Sequence, residues 1–445
     1  KRAVSLCQNN RLPFDAIALQ GIPDWPLIYW WGKDVLAHYE TKPLITATAP
    51  ARFGTSTGNN SRFVRYLWEV RSKPDLCQPL PTSKWFPWVN GGKGRKWFEP
   101  LLEIVDWNHR GLAVSLGPGS ALRNTRYNFG PGIAFAMIGK EFMARAHVFP
   151  SVFGNKGSSL FPPDIPGTLC LLNSSYARRI LEGLNPGIGF EVGDVNRVPV
   201  VVVESAAAIE GAAHRAFDLH ESHREPSVEF RRPGPSPWRH AQEWAQLAVD
   251  RPEGDPLPEY VEELDPEPAT DHLSYALGVA LGRFGPGGEG ILDPATADLS
   301  HALPGGILFL DRTLDGNGTD TEHDSLFHSA CQSLHDAWAV HAEQIESRRR
   351  NLRDWLALDF FGTVHKGMYE NRPIHWPLSS ADKTFVAWVN IHRFSDGTLR
   401  LLLADHLVPR LAQIEGTLND LRTARAAAAG KAANTAERQI EKLIK

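Results

Sequence analysis

Eight prolines crowded between positions 233 and 268 constrain this chain more than any other feature: Pro233, Pro235, Pro237, Pro252, Pro256, Pro258, Pro266 and Pro268. Each removes a backbone donor and restricts the residue before it, so no long helix or continuous sheet crosses the stretch. Asp250 to Glu267 adds eight acids against one base, the composition of a solvated linker. The 445 residues are therefore expected to fold as separate regions. These are a first domain over 1–205, a Pro-rich acidic linker over 206–270, and a mainly helical domain over 271–422. A charged Ala-rich helix over 423–445 completes the chain. Within the linker, Pro237 to Asp250 has room for one short helix. The expected class is mixed α/β (α+β): strands and helices together in the first domain, chiefly helices in the second.

Periodicity fills in the outline. Leu169 to Leu184 reads as one amphipathic helix and Val198–Val203 as a buried strand. Asp271 is placed to cap a helix through Phe284, Glu322–Phe361 carries helical spacing for two helices, and Leu399–Leu421 for another. Thr423–Lys445, without proline, is a solvent-facing helix or one strand of a coiled coil.

Several classes of protein are excluded. No run of eighteen apolar residues exists, so no membrane-spanning helix is expected. Cys7, Cys77, Cys170 and Cys331 lie far apart, which rules out a cysteine zinc cluster and fits a reducing cytoplasm. No nucleophile elbow, zincin, Walker or dinucleotide-binding motif is present. Gly91-Gly-Lys-Gly-Arg-Lys96 exposes backbone N–H groups beside cations but lacks P-loop spacing. His220-Glu-Ser-His223 has no third metal ligand nearby, Asp315–Asp320 departs from a calcium loop at its fifth position, and Glu191 with Asp194 reads as a cap or turn. Neither a catalytic residue nor a metal ligand is expected in this chain.

One positive signal remains. From Arg52 to Arg126 twelve basic residues face five acids, although the whole chain carries a net charge of −4. Tyr66, Trp68, Trp85, Trp88, Trp97, Trp107 and Tyr127 are interleaved with them. Cations neutralise phosphates, and Asn, small polar residues and Gly allow close approach to base edges, as in Thr57-Gly58-Asn59-Asn60-Ser61-Arg62.

An ordered series of segments then carries a resemblance. Ile22-Pro-Asp-Trp-Pro-Leu-Ile-Tyr-Trp30, Gly54–Asn60 with Arg62-Phe-Val-Arg65, and Trp85-Phe-Pro-Trp-Val-Asn-Gly-Gly92 with Arg95-Lys-Trp97 come first. Val105-Asp-Trp107, Arg123-Asn124, Tyr127–Phe129, Pro131–Ile133, Gly157–Phe161, Leu171–Ser174, Leu184–Pro186 and Val192–Pro199 follow. Leu273–Gly278, Asp359–Phe361, Asn371–Trp376 and Ile391–Phe394 lie beyond the prolines. In this order they resemble the target-recognition and C-terminal domains of PglX-type adenine-specific DNA methyltransferases of the BREX phage-defence system; the DISARM-type enzymes share the layout.

The resemblance implies double-stranded DNA as partner and S-adenosyl-L-methionine as the intact enzyme's cofactor. It places phosphate contacts on Arg62, Arg65, Lys93, Arg95, Lys96, Arg123 and Arg126. Asn59 and Asn60 either reach bases or shape the turn. The family stacks its flipped adenine against Asn-Pro-Pro-Tyr/Phe, whereas here Asn185-Pro186 is followed by Gly187. The expectation is thus a DNA-reading portion, inactive alone, that docks duplex DNA against a catalytic domain lying upstream; its C-terminal helices either clamp DNA or dock other defence proteins. Two alternatives stand beside it: a non-catalytic specificity subunit of a restriction system, and a Trp-rich carbohydrate-binding or carbohydrate-active protein.

Overall fold

The computed structural model describes residues 17–28, 30–70, 84–284, 302–311, 325–345 and 351–444. The Asp315–Asp320 stretch, Cys7 and Cys77 lie outside them. The fold is α+β and divides into two compact units. The first gathers the described residues of Lys1–Leu67, Lys73–Ser222 and Pro235–Pro266; the second gathers those of Trp68–Ser72, His223–Gly234 and Glu267–Lys445.

The first unit holds two four-stranded sheets. Its strands are β1 (Val64–Tyr66), β2 (Trp85–Val89), β3 (Trp97–Phe98), β4 (Glu103–Asp106), β5 (Gly132–Phe135), β6 (Ala144–His147), β7 (Val152–Phe153) and β8 (Ser159–Leu160). One sheet runs β1-β4-β2-β7 and the other β3-β6-β5-β8. Helices in the first half of the unit include α1 (Lys33–Thr41), α2 (Asn60–Phe63) and α3 (Asn108–Ser115). Beneath the second sheet lies the larger core, where Trp97, Phe135 and Ile133 meet Leu169, Ile180 and Leu181.

The single helix expected over 169–184 is two: α4 (Ile165–Asn173) and α5 (Ser175–Leu184). Ser174 stands between them with extended backbone (φ −75°, ψ 157°), and its hydroxyl accepts from Ala177 N at 3.3 Å, ending one helix and capping the next. Val198–Val203 is not a ladder strand. Val198 is buried and Pro199 bridges to Leu44, but proline offers no N–H to a sheet and Val202 stands 89% exposed.

Residues 206–270 carry α6 (Ala206–His223) and α7 (Trp238–Val249), with the prolines in the loops that flank α7. Ile209 and Ala213 of α6 and Ala245 and Ala248 of α7 are fully buried in the larger core. Alanines at three- and four-residue spacing let each helix approach closely despite the acidic loop that follows.

The second unit is built on β9 (Ile307–Asp311), β10 (His375–Ser379) and β11 (Phe385–Asn390), ordered β10-β11-β9 and antiparallel throughout. Against it stand α8 (Ala269–Ala280), α9 (Gln332–His341) and α10 (Leu352–Leu358), which bury Leu277, Leu334 and Trp355 with Trp388 of β11. Asp271 lies in the first turn of α8 behind Pro268 rather than at its cap. Two helices close the unit, α11 (Val408–Ala427) and α12 (Lys431–Ile444). Gly430 turns the chain at φ +60°, and Arg425 pairs with Glu437 as α12 folds back on α11.

Candidate nucleic-acid interface

The basic window supplies β1, β4 and β2 of the β1-β4-β2-β7 sheet and the loops at its two ends. At the first end, Ser56 bridges to Ala121, with Ser56 N to Ala121 O and Ala121 N to Ser56 O both at 2.9 Å. This brings the 54–62 loop beside the 117–127 loop. Gly58 sits at φ +69°, and a Cβ there would come within 2.2 Å of Pro118 O, so the close approach of the two loops requires glycine. Gly58→Ala is expected to cost more than about 1 kcal/mol and to lower the urea midpoint of the first unit.

The candidate residues in these loops divide by role. Asn59 caps α2: its Oδ1 accepts from Arg62 N at 3.1 Å and from Ser61 Oγ at 2.9 Å. Asn60 Oδ1 accepts from the buried Thr57 hydroxyl. Both asparagine oxygens therefore shape the turn, while the side chains stay at the surface. Arg62 is exposed with its guanidinium 5.0 Å from the Phe63 ring centroid. Arg65 is half-buried, donating to Ser61 O at 2.7 Å and Val64 O at 2.8 Å. Arg123 and Arg126 are exposed on the facing loop, and Arg126 donates to Tyr127 Oη at 3.0 Å.

The other end of the sheet carries the Gly91–Lys96 segment. Lys93 Nζ donates to Tyr66 Oη at 3.1 Å, and Arg95 lies 4.0 Å from Glu99. Lys96 turns inward: its Nζ donates to Asn173 O at 3.3 Å and to Gln246, and burial pulls its pKa down to about 8, with Arg178 adding repulsion. Thus the structure brings Thr57–Arg62 together with Arg123 and Arg126, and sets Lys93 and Arg95 at the opposite end of β1. Trp88 and Trp97 are core residues; Trp85 is half-buried, with Lys84 Nζ 5.2 Å from its ring centroid.

Two residues that sequence reasoning passed over organise this end. Arg145, in the middle of the second sheet, is fully buried and pairs with Glu99 and with the Asn90 carbonyl. A Cβ on Gly92 would fall 2.4 Å from its Nη1, so the Gly91-Gly92 turn lies directly on the guanidinium. The second is Glu103, one of the five acids in the basic window; Asn90 Nδ2 donates to its Oε2 at 3.5 Å. The only signal for Arg145 is a cation between alanines in an apolar strand. For Glu103 there is none, because its face depends on pairing with β1.

Asp194, read with Glu191 as a cap or turn, accepts from Glu191 N at 3.2 Å, Asn185 Nδ2 at 3.1 Å and Arg197 Nη2 at 2.6 Å. Asn185 Oδ1 in turn accepts from Gly187 N at 3.3 Å. With its amide and oxygen so engaged, Asn185-Pro186-Gly187 is a helix end and fits neither S-adenosylmethionine nor a flipped adenine. Among the described residues no cluster of three His, Cys, Asp or Glu is placed to hold a metal ion, and no helix is long and apolar enough to cross a membrane.

Over most of its length the chain is homologous, at low identity, to PglX-type adenine-specific methyltransferases. It is 24% identical over 487 aligned positions to the adenine-specific methyltransferase PglX of Lacticaseibacillus casei (strain Zhang), covering 90% of this chain and 39% of that protein. It is 23% identical over 527 positions to the adenine-specific methyltransferase BrxX of Escherichia coli O9:H4 (strain HS), covering 99% of this chain and 43% of the relative. The chain thus spans about two fifths of the length of the curated relatives it matches. No family model matches it.

Proposed function

We propose that the first unit is the DNA-reading part of a site-specific N6-adenine DNA methyltransferase of a phage-defence system. In this reading the methyl-transfer chemistry and S-adenosylmethionine belong to a catalytic domain outside these 445 residues. The observation that carries it is the meeting of the 54–62 and 117–127 loops, which sets Arg62, Arg123 and Arg126 at the surface around one bridge. Such cations hold duplex DNA in register by its phosphates, while sequence is read by neighbouring side chains. Supporting it are the homology to two adenine-specific methyltransferases and the absence of the Asn-Pro-Pro-Tyr motif. Lys93 and Arg95 serve the same duplex from the far end of β1. Arg65 and Lys96 act mainly on the protein side, and Asn59 and Asn60 hold the loop shape.

Fluorescence anisotropy with labelled duplexes across a salt series tests this. Arg62→Ala, Arg123→Ala and Arg126→Ala should each weaken binding alike on any sequence and lower the salt slope by about 0.9. Unchanged affinity and slope in all three variants would remove the interface from these loops.

A further inference from the structure

Strand pairing puts Glu103 where an apolar side chain belongs. Val64, Val105 and Phe86 lie side by side across β1, β4 and β2, and all three are buried in one core. Two residues along, on the same face, Tyr66 pairs with Glu103. Trp88 stands one ladder step beyond the Pro87–Ile104 pair, opposite Glu103. A row that is apolar at Val105 therefore becomes Tyr66–Glu103–Trp88. Beside it Asn90, Lys93 and Arg95 help to line a cavity of about 10 Å³.

A carboxylate on the inward face of a central strand costs stability unless it serves something. Burial holds the Glu103 carboxyl above the usual range, with Lys93 pulling the other way. Asn90 Nδ2 donates to its Oε2 at 3.5 Å. The cavity has room for about one water-sized group, not for a base ring. What fits is a single hydrogen-bond donor presented edge-on.

We infer that Glu103 is a specificity-determining residue that accepts a hydrogen bond from the exocyclic amino group of one base, cytosine N4 or adenine N6, in the major groove. The inference rests on the DNA-recognition reading above. Both amines project into that groove, and a carboxylate rejects the carbonyl oxygens that guanine and thymine present there. Lys93 and Arg95, on the same rim, hold the flanking phosphates and offset the repulsion between Glu103 and the DNA backbone. Asn90 orients the carboxylate through its amide.

The test is selection from randomised duplexes, followed by sequencing, with the 445-residue chain and its Glu103→Met and Lys93→Ala variants at two salt concentrations. The wild type should enrich an amino-bearing base at one position roughly tenfold or more over guanine and thymine. Glu103→Met, close in size but without an acceptor oxygen, should lose that preference while other positions stay unchanged; Lys93→Ala should weaken all duplexes alike. A duplex carrying purine for adenine, or 2-pyrimidinone for cytosine, lacks only the amine. Against the wild type it should show the same loss, which identifies the base and does not depend on any variant folding. A Glu103→Met chain that selects as the wild type does, or an amine-less duplex bound as tightly as its parent, overturns the assignment alone. A wild-type chain that binds every duplex equally overturns the recognition reading, and the assignment with it.

Discussion

Arg283→Ala is expected to lower the stability of the second unit by about 3–5 kcal/mol, the usual effect of removing one partner from a buried ion pair. Arg283 and Glu225 are each 2% exposed, and Nη1 of the arginine donates to Glu225 Oε1 at 2.6 Å. Nη2 donates to the Glu225 carbonyl at 3.3 Å, and Tyr369 Oη bonds both side chains. The guanidinium also lies 4.5 Å from the Phe284 ring centroid and 5.2 Å from that of Tyr369. Burial already holds the Glu225 carboxyl above the usual range, and Arg283 is the chief group opposing this. Without the arginine, Glu225 would be a buried charge with no counter-ion and would take up a proton on folding. Urea denaturation should show the loss directly. The double variant Arg283→Met with Glu225→Gln should recover most of it, because a neutral pair has no charge to desolvate. Equal losses in single and double variants would show that packing, not the ion pair, sets the stability here.

Arg145→Ala should have an effect of the same size, about 3–5 kcal/mol, on the first unit, with a second consequence at the surface. The guanidinium is fully buried, holds Glu99 and the Asn90 carbonyl, and lies under Gly92. Truncation takes from Glu99, 7% exposed, its buried partner, leaving it the more distant Arg95 at 4.0 Å, and removes the floor beneath the Asn90–Arg95 segment. Duplex affinity should therefore fall together with the thermal midpoint, even though Arg145 itself cannot reach DNA. Glu99→Gln paired with Arg145→Met separates the two effects: stability should return while the loop contacts to Asn90 stay lost. A variant with lowered stability but unaltered binding would disconnect Arg145 from the interface.

The basic window, the tryptophan-rich segment around Gly91-Gly92 and the order of family-like motifs are properties that add along the chain, so they can be read without coordinates. The short helix expected from Pro237 to Asp250 is observed at Trp238–Val249 because prolines and apolar spacing act locally. The division of 169–184 into two helices was less legible, since Ser174 acts as a stop only once Ala177 is in place to be capped. Val198–Val203 has strand-forming residues but pairs with Leu44 through an isolated bridge at Pro199, and β-propensity alone does not make a sheet.

The candidate site shows the same split. Which cations are available, and their gathering into one window against an acidic chain, are written in the order of residues. It takes the packed fold to turn Lys96 inward to Asn173 while Arg62, Arg123 and Arg126 stay outside. That fold alone placed Glu103 on the face of Val105 and opposite Tyr66. The physical reason is range. Charge and helical periodicity act over a few residues, whereas the face a strand residue takes depends on its register with a partner 37 positions away, as Glu103 does with Tyr66.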